Sequence, residues 1–486
     1  MPSPHGRVHG VSWKAVPAAL LTPGPGPVRI PFQKTEGPQN PVQTTTQNRS
    51  LARHLYSMTW PMLFGVLSLM TFQLADSAFV GQLGRDPLAA LGFTLPMQQL
   101  IIGLQVGLGI ATTAIVSRTL GAGDELRAFR LGGLIITVGG SLVFVICVTL
   151  WLLQEVIMTA LGAEASLLPL IRQYWIPWLI AAWTGAFLYF GYSVCRSHGD
   201  TKLPGYMMVA TSLTNIALDP LYIFVFDWGL PGAAWATVTS FGMGCLVIYP
   251  KLLKRHWVRF DLQELALWKA LKQLNGIMAP AMVSQLMPAV SAMLATALVA
   301  GFGSAAVAAW GLGTRLEFFS IVVVLALTMS MPPMIGRMLG AGDIEQIRRL
   351  VRLAVRFVVV WQLAIGLVWV VASGLVSDLF SSDQAVQEVL AGYLVRVPLS
   401  YSGLGVCMLM VSVCNALGLA MRALLVSTLR LFLCFLPLLW LGSQLNGIYG
   451  LMSGALVGNL CAGAMAYSFY RAGMTRLKAE MASGKA

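Results

Sequence analysis

From Leu55 onward, long apolar runs alternate with short polar connections, and this pattern constrains the fold more than any other feature of the chain. The runs fall at 55–82, 90–118, 131–154, 166–195, 203–226, 232–251, 270–299, 309–338, 349–376, 386–416, 422–441 and 448–471. About 20 apolar residues suffice for a helix to cross the hydrocarbon core. The chain is 57% hydrophobic and only 10% charged, where a soluble domain is about a quarter charged. It reads as an all-α polytopic membrane protein with twelve transmembrane helices.

The net charge of +13 is distributed by topology. Connections after the second, fourth and sixth runs carry Arg118, Arg127 and Arg130, then Arg196 and Lys202, then Lys251, Lys254, Arg255 and Arg259. Those after the eighth and tenth carry Arg337, Arg348, Arg349, Arg352 and Arg422, and the tail adds Arg471, Arg476, Lys478 and Lys485. The opposite connections are acidic or neutral, Arg85 excepted. The positive-inside rule then puts both termini in the cytoplasm of a bacterial-type inner (plasma) membrane. A nucleic-acid surface would need these charges on one soluble face, and the pattern leaves no such domain. Seven cysteines lie in or beside apolar runs without CxxC spacing, which indicates neither a disulfide framework nor a metal site.

The two halves repeat at a constant shift of 219 residues. TLGAGD at 119–124 returns as MLGAGD at 338–343, Pro61 matches Pro280, Gly84 matches Gly303, and Cys195 matches Cys414. Six runs per half is an even number, so both halves enter the membrane in the same sense. This predicts two six-helix lobes related by a pseudo-two-fold along the membrane normal, a transporter architecture. In each GAGD turn, Gly supplies a positive φ and Asp caps the next helix. Neither turn has the Lys-Ser/Thr of a P-loop, so energy is expected from an ion gradient. The domains expected are a disordered extension at 1–50, an N-lobe at 51–252, a cytoplasmic linker at 253–269, a C-lobe at 270–472 and a cytoplasmic tail at 473–486.

The stretch TSLTNIALDP, 211–220, places an acid inside an apolar run. Such an acid costs roughly 2.5–3.5 kcal/mol on insertion and marks function by default. Asn215 sits one turn before Asp219, and Pro220 frees the carbonyl of Ile216. In the first run Asp76 lies 15 residues beyond Pro61, as Asp219 lies 15 beyond Pro204, so both sit about 22 Å along outward-running helices. Tyr174 and Thr237 fall at a similar depth on the fourth and sixth runs. Asp76, Tyr174, Asn215, Asp219 and Thr237 are therefore expected to form one cation-coupling pocket. Two carboxylates there must share a proton or hold a cation between them.

Other polar groups carry two readings each. Tyr174 also suits an interfacial anchor, Thr237 a backbone-bonded helix residue, and Gln73 a helix–helix contact or cavity lining. Arg315 and Glu317 are a solvated pair at the outer entrance or cavity lining. Met282, Met287, Met293, Met329, Met331 and Met334 make an adaptable drug-binding wall or ordinary packing. Gln73, Met282, Gln285 and Met287 are the candidate substrate-cavity residues. No HExxH, GxSxG or His-plus-acid cluster argues for an enzyme.

The residues resemble the MATE (multidrug and toxic compound extrusion) transporters, in their DinF-like branch. The resemblance runs from about Leu55 to Arg471 and rests on WPM at 60–62, Asp76 with FVGQLG, LAALG at 88–92, both GAGD turns, GDTKLP at 199–204, NIALDP at 215–220 and GAAWAT at 232–237. It implies two six-helix lobes, alternating access, and drug efflux driven by inward H+ or Na+. It makes Asp76 the main coupling acid, assigns Asn215, Asp219, Thr237 and Tyr174 to the same site, and sets Pro61 at a first-helix kink. Na+, if used, would sit at Asp76, Asn215, Asp219 and Thr237. The acids that some sodium-coupled relatives carry in helices seven and ten are missing, since those stretches hold Gln285 and no central acid between Tyr393 and Cys414. The expectation is a monomeric antiporter of amphipathic, cationic organic compounds, working in the lipid bilayer without a cofactor. A flippase for lipids or lipid-linked sugars is the alternative.

Overall fold

A bilayer offers backbone amides no water, so apolar runs of this length close their hydrogen bonds within themselves as helices. The computed structural model describes residues 41–160, 166–261 and 265–483. The first half holds α1 (Pro41–Gln82, with Arg49–Gln82 as its membrane-crossing part), α2 (Arg85–Gly121), α3 (Glu125–Leu152), α4 (Leu168–Ser197), α5 (Lys202–Val225) and α6 (Gly229–Lys254). The second holds α7 (Leu267–Ala300), α8 (304–340, in two pieces meeting at Ile321), α9 (Ile344–Phe380), α10 (Gln384–Ala416), α11 (420–446) and α12 (447–481). Among the described residues there are no strands, and eleven continuous helices are long and apolar enough to cross a membrane.

The last of these, Ala420–Met481, makes two passes. Asn446 (φ −148°) and Gly447 (φ 53°) leave helical geometry. Beyond them the chain returns antiparallel, with Gly442 against Gly450, Gly454 against Leu438 and Gly458 against Cys434. The total is the twelve passes expected.

The repeat persists in the backbone. Gly123 (φ 85°) and Gly342 (φ 78°) close α2 and α8 in the left-handed region, and the pairs Gly84/Gly303 and Gly199/Gly418 also share positive φ. The next residues cap as the sequence predicts. Asp124 accepts from the Arg127 amide at 3.1 Å, and Asp343 accepts from the Gln346 amide at 3.0 Å.

The lobes meet at their arginine-rich ends. Leu55 and Met58 of α1 belong to the apolar core of the second half, while their repeat partners on α7, Leu274 and Ile277, belong to that of the first. Each lobe thus inserts the start of its first helix into the other. Thr59 Oγ1 and Ser330 Oγ hydrogen-bond across the seam at 2.8 Å. Where α2 crosses α8, a Cβ on Gly121 would collide with the Arg337 carbonyl, and one on Gly340 with the Arg118 carbonyl. Arg337 also donates to the Ser197 carbonyl at the end of α4, at 3.4 Å.

One boundary differs from expectation. Residues 41–50, read as disordered, are helical. The reading of 1–40 lies outside the described residues. The linker between α6 and α7 docks back on α3: the Arg259 amide donates to the Phe129 carbonyl at 3.0 Å, and Arg130 pairs with Asp261 at 3.5 Å. The tail continues as helix to Ala482.

Candidate functional site

Asn215 and Asp219 stand one turn apart on α5, both fully buried, and face Thr237 and Ser240 on α6. The amide orientation follows from the hydrogen bonds around it. With its nitrogen toward the acid, Asn215 donates to Asp219 Oδ1 at 3.2 Å and Oδ2 at 2.9 Å, while its oxygen accepts from Thr237 Oγ1 at 3.1 Å and Ser240 Oγ at 3.2 Å. Turned over, the nitrogen donates to those two hydroxyls at 3.1 and 3.2 Å. The hydroxyls then donate to the carbonyls of Ala233 at 3.1 Å and Ala236 at 2.8 Å. The first arrangement serves an ionised Asp219. The second brings the amide oxygen to the carboxyl, which is a hydrogen bond only when Asp219 carries a proton. Asp219 thus finds a partner in Asn215 in either proton state, while only the first arrangement also lets the Asn215 oxygen accept from the Thr237 backbone amide, at 3.1 Å.

Asp76 on α1 is half-buried, and its Oδ1 is buried with no hydrogen-bond partner. It lies within electrostatic range of Asp219 and of Tyr174, which is buried on α4 and makes no hydrogen bond to either acid. An orphaned carboxylate oxygen costs about 1–3 kcal/mol or more, so this acid calls for a proton or a cation. Four helices, α1, α4, α5 and α6, therefore bring together the five residues picked from sequence. Ser240 is the member that sequence reasoning missed. Its signal was its place one turn beyond Thr237 on the same face.

Local chemistry explains the placement. Pro220 ends the α-helical part of α5, and a π-helical turn, Leu221–Val225, follows it. Such turns concentrate at functional sites. Pro61 lies inside α1, which stays helical through it, and its carbonyl abuts Gly205 of α5 so closely that a Cβ there would collide. The proline and the acids thus share the α1–α5 seam.

The remaining candidates scatter. Gln73 and Gln285 are exposed and make no side-chain hydrogen bond, Met282 packs against Gly107 of α2, and Met287 lines a cavity between α7 and α11. The methionines form no single wall: Met331 and Met334 are core of the second half, Met329 packs on the first, and Met293 is exposed. Arg315 is exposed, while Glu317 turns inward to accept from Tyr393 at 3.4 Å, so the two are not a solvated pair. Among the described residues no three His, Cys, Asp or Glu side chains converge to hold a metal.

Known proteins share the sequence pattern and the fold. The MatE family model matches residues 61–221 and again 280–441, once in each half. A FAD transporter of Shewanella oneidensis is 31% identical over 434 residues, covering 86% of this chain and 94% of that protein. The multidrug export protein MepA of Staphylococcus aureus is 24% identical over 409 residues, covering 83% and 90%. The crystal structure of the Vibrio cholerae MATE transporter VcmN in the bent form is 54% identical, covers 89% of this chain and 99% of its own, and superposes with a TM-score of 0.87.

Proposed function

This chain belongs to the MATE family, whose members are transporters rather than enzymes, and from that premise we propose that it is a secondary antiporter exporting amphipathic, cationic organic compounds in exchange for H+ or Na+. One observation carries the reading. Asp76 has a buried oxygen without a partner, beside an Asn215–Asp219 pair whose amide can offer a donor to the ionised acid or an acceptor to the protonated one. Loading and unloading such a pocket costs little reorganisation.

The arginine-rich ends are the cytoplasmic side in this reading, with both termini there and the chain in the plasma membrane. The α2–α8 contact closes that side, so the pocket takes its cation from outside. A proton entering would settle on the acids, and the Asn215 amide would turn over to the Thr237 and Ser240 hydroxyls. Na+ would use the same carboxylate, amide and hydroxyl oxygens, all hard donors. Export then follows from linkage, since a substrate favoured by one loading state is expelled when the cation favours the other. The multidrug exporter among the relatives supports an amphipathic substrate. The more similar relative, named for FAD, favours a second substrate class, an anionic nucleotide carried on the same cycle. Movement of lipids or lipid-linked sugars is the remaining alternative, and the acids of the N-lobe weigh against it.

The test is flux in proteoliposomes under a pH gradient or a sodium gradient, imposed one at a time. Export of a fluorescent organic cation or of a flavin nucleotide under either gradient is expected. Flux that ignores both gradients would refute antiport.

A further inference from the structure

The seam between the first and fifth helices of a lobe is filled in one half and open in the other. In the first half a Cβ on Gly65 of α1 would stand 3.0 Å from the sulfur of Met208 on α5, which plugs the gap, and Thr211 beside it donates to its own helix. At the 219-residue shift these three positions become Ser284, Ser427 and Arg430. Without the methionine plug a small cavity of about 30 Å³ remains between α7 and α11, lined by Ser284, Met287, Pro288, Ser291, Ser427, Arg430 and Leu431.

Three of the four donors facing this cavity are unmet. Arg430 makes no hydrogen bond or ion pair with a described residue, and the buried Ser284 Oγ has no partner. Ser291, also buried, makes no side-chain hydrogen bond, and Ser427 donates only to the Ala423 carbonyl, at 3.1 Å. Glu317 is within electrostatic range of Arg430 but is bonded to Tyr393 instead. Arg430 opens a π-helical turn, Arg430–Phe435, about 15 Å along α11 from Ala420 and so near mid-membrane. A guanidinium at that depth, facing a cavity, marks a ligand path.

We infer that Arg430, with Ser284, Ser291 and Ser427, binds a phosphate-type anionic group of the transported molecule in the C-lobe. The guanidinium fork and several hydroxyls match an oxyanion with several acceptor oxygens better than a lone halide or an apolar group. At about 30 Å³ the cavity is far smaller than the roughly 300–1,000 Å³ of drug-sized sites, so it takes no more than an oxyanion head group while the rest of the molecule extends into the open side. The two lobes then differ in polarity, cation in the first and anion in the second. This inference rests on the transport reading and favours its second substrate class, the anionic nucleotide, over organic cations.

The test uses the full-length protein in phosphatidylcholine discs, with calorimetric binding of hexyl phosphate and of hexyltrimethylammonium. Wild type binds hexyl phosphate, and Arg430→Gln weakens that binding roughly tenfold or more. Ser427→Met, which restores the plug of the first half, does the same. Neither change alters binding of the ammonium probe. Thermal unfolding checks that each variant is folded, and Ser427→Met decides the matter should Arg430→Gln fail to fold. Discs containing phosphatidylglycerol separate the sources. Displacement of hexyl phosphate from wild type names a lipid head group as the occupant, and no displacement names a soluble phosphate ester; both keep the site. Equal binding of hexyl phosphate to wild type, Arg430→Gln and Ser427→Met overturns it. Asp76→Asn should keep hexyl phosphate binding whatever it does to flux, so failure of antiport and failure of this site are read separately.

Discussion

Gly121 of α2 lies against the backbone carbonyl of Arg337 on α8, and the repeat partners of these two residues, Gly340 and Arg118, touch in the same way. The pseudo-two-fold passes between these contacts. Two helix backbones can approach so closely only where the residue facing the neighbouring carbonyl carries no Cβ. Replacing Gly340 by Leu should force α2 and α8 apart at the arginine-rich end. Overpacking of this kind costs typically 1–3 kcal/mol, and the contact that closes the lobes on each other would be lost. The expected outcome is a lower thermal unfolding temperature together with loss of gradient-driven flux. Gly276→Ala is the control, because a Cβ there meets nothing within 4 Å. An unaltered Gly340→Leu protein would mean that the lobes do not depend on this crossing.

Asp76 is the acid whose oxygen lacks a partner, so its charge matters most to the cycle. Asp76→Asn keeps shape and volume and removes both the charge and the exchangeable proton. Export should fall to background, while expression, membrane insertion and thermal unfolding stay close to wild type. Drug resistance retained in cells carrying Asp76→Asn would count against the proposed coupling.

The fold was largely legible because bilayer physics leaves few choices. Run length set the number of passes, and the 219-residue shift set the lobes. The candidate site residues were legible for the same reason, since Asp76 and Asp219 stand out as acids where acids are costly. What escaped notice was polarity that looks ordinary in sequence. Ser240 is one hydroxyl among many, and only the facing Asn215 gives it a role. Arg430 is a mid-run charge that the charge-by-loop reading passed over, although the cost argument for Asp219 applies to it equally. Burial also sorted what composition could not. The methionine-rich helices carried one compositional signal, and their side chains point into different cores.

Asn215 holds Asp219 in either proton state, so substitutions there should separate structure from coupling. Asn215→Leu leaves Asp219 buried without its amide donor, which costs about 1–3 kcal/mol, and export should be lost with a lower unfolding temperature. Thr237→Val removes one hydroxyl partner while Ser240 remains, so a several-fold loss of flux with nearly unchanged stability is expected. Flux assays and thermal unfolding on the two variants, side by side, check the difference. Equal losses would mean that the amide is packing rather than a switch.

His198 caps the arginine-rich end of α4, outside the span, and is expected to make stability fall in acid. Its ring stacks between Phe129 at 5.7 Å and Trp257 at 4.6 Å. Nδ1 bonds the Val194 carbonyl at 3.0 Å, and Nε2 is buried with no partner. Protonation would put a charge where nothing accepts it. Burial therefore pushes its pKa down from 6.5 to about 4, with the nearby Arg337 adding to the shift and the Val194 bond opposing it. The folded state thus prefers neutral His198 while the unfolded chain protonates near 6.5. This contribution is complete above pH 6.5 and is lost as pH falls toward 4. It is on the order of 3 kcal/mol. Unfolding temperatures in discs should drop across that window, and His198→Phe, which keeps the stack without a titrating nitrogen, should flatten that part of the curve. An unchanged pH profile in His198→Phe would assign the acid sensitivity to other groups.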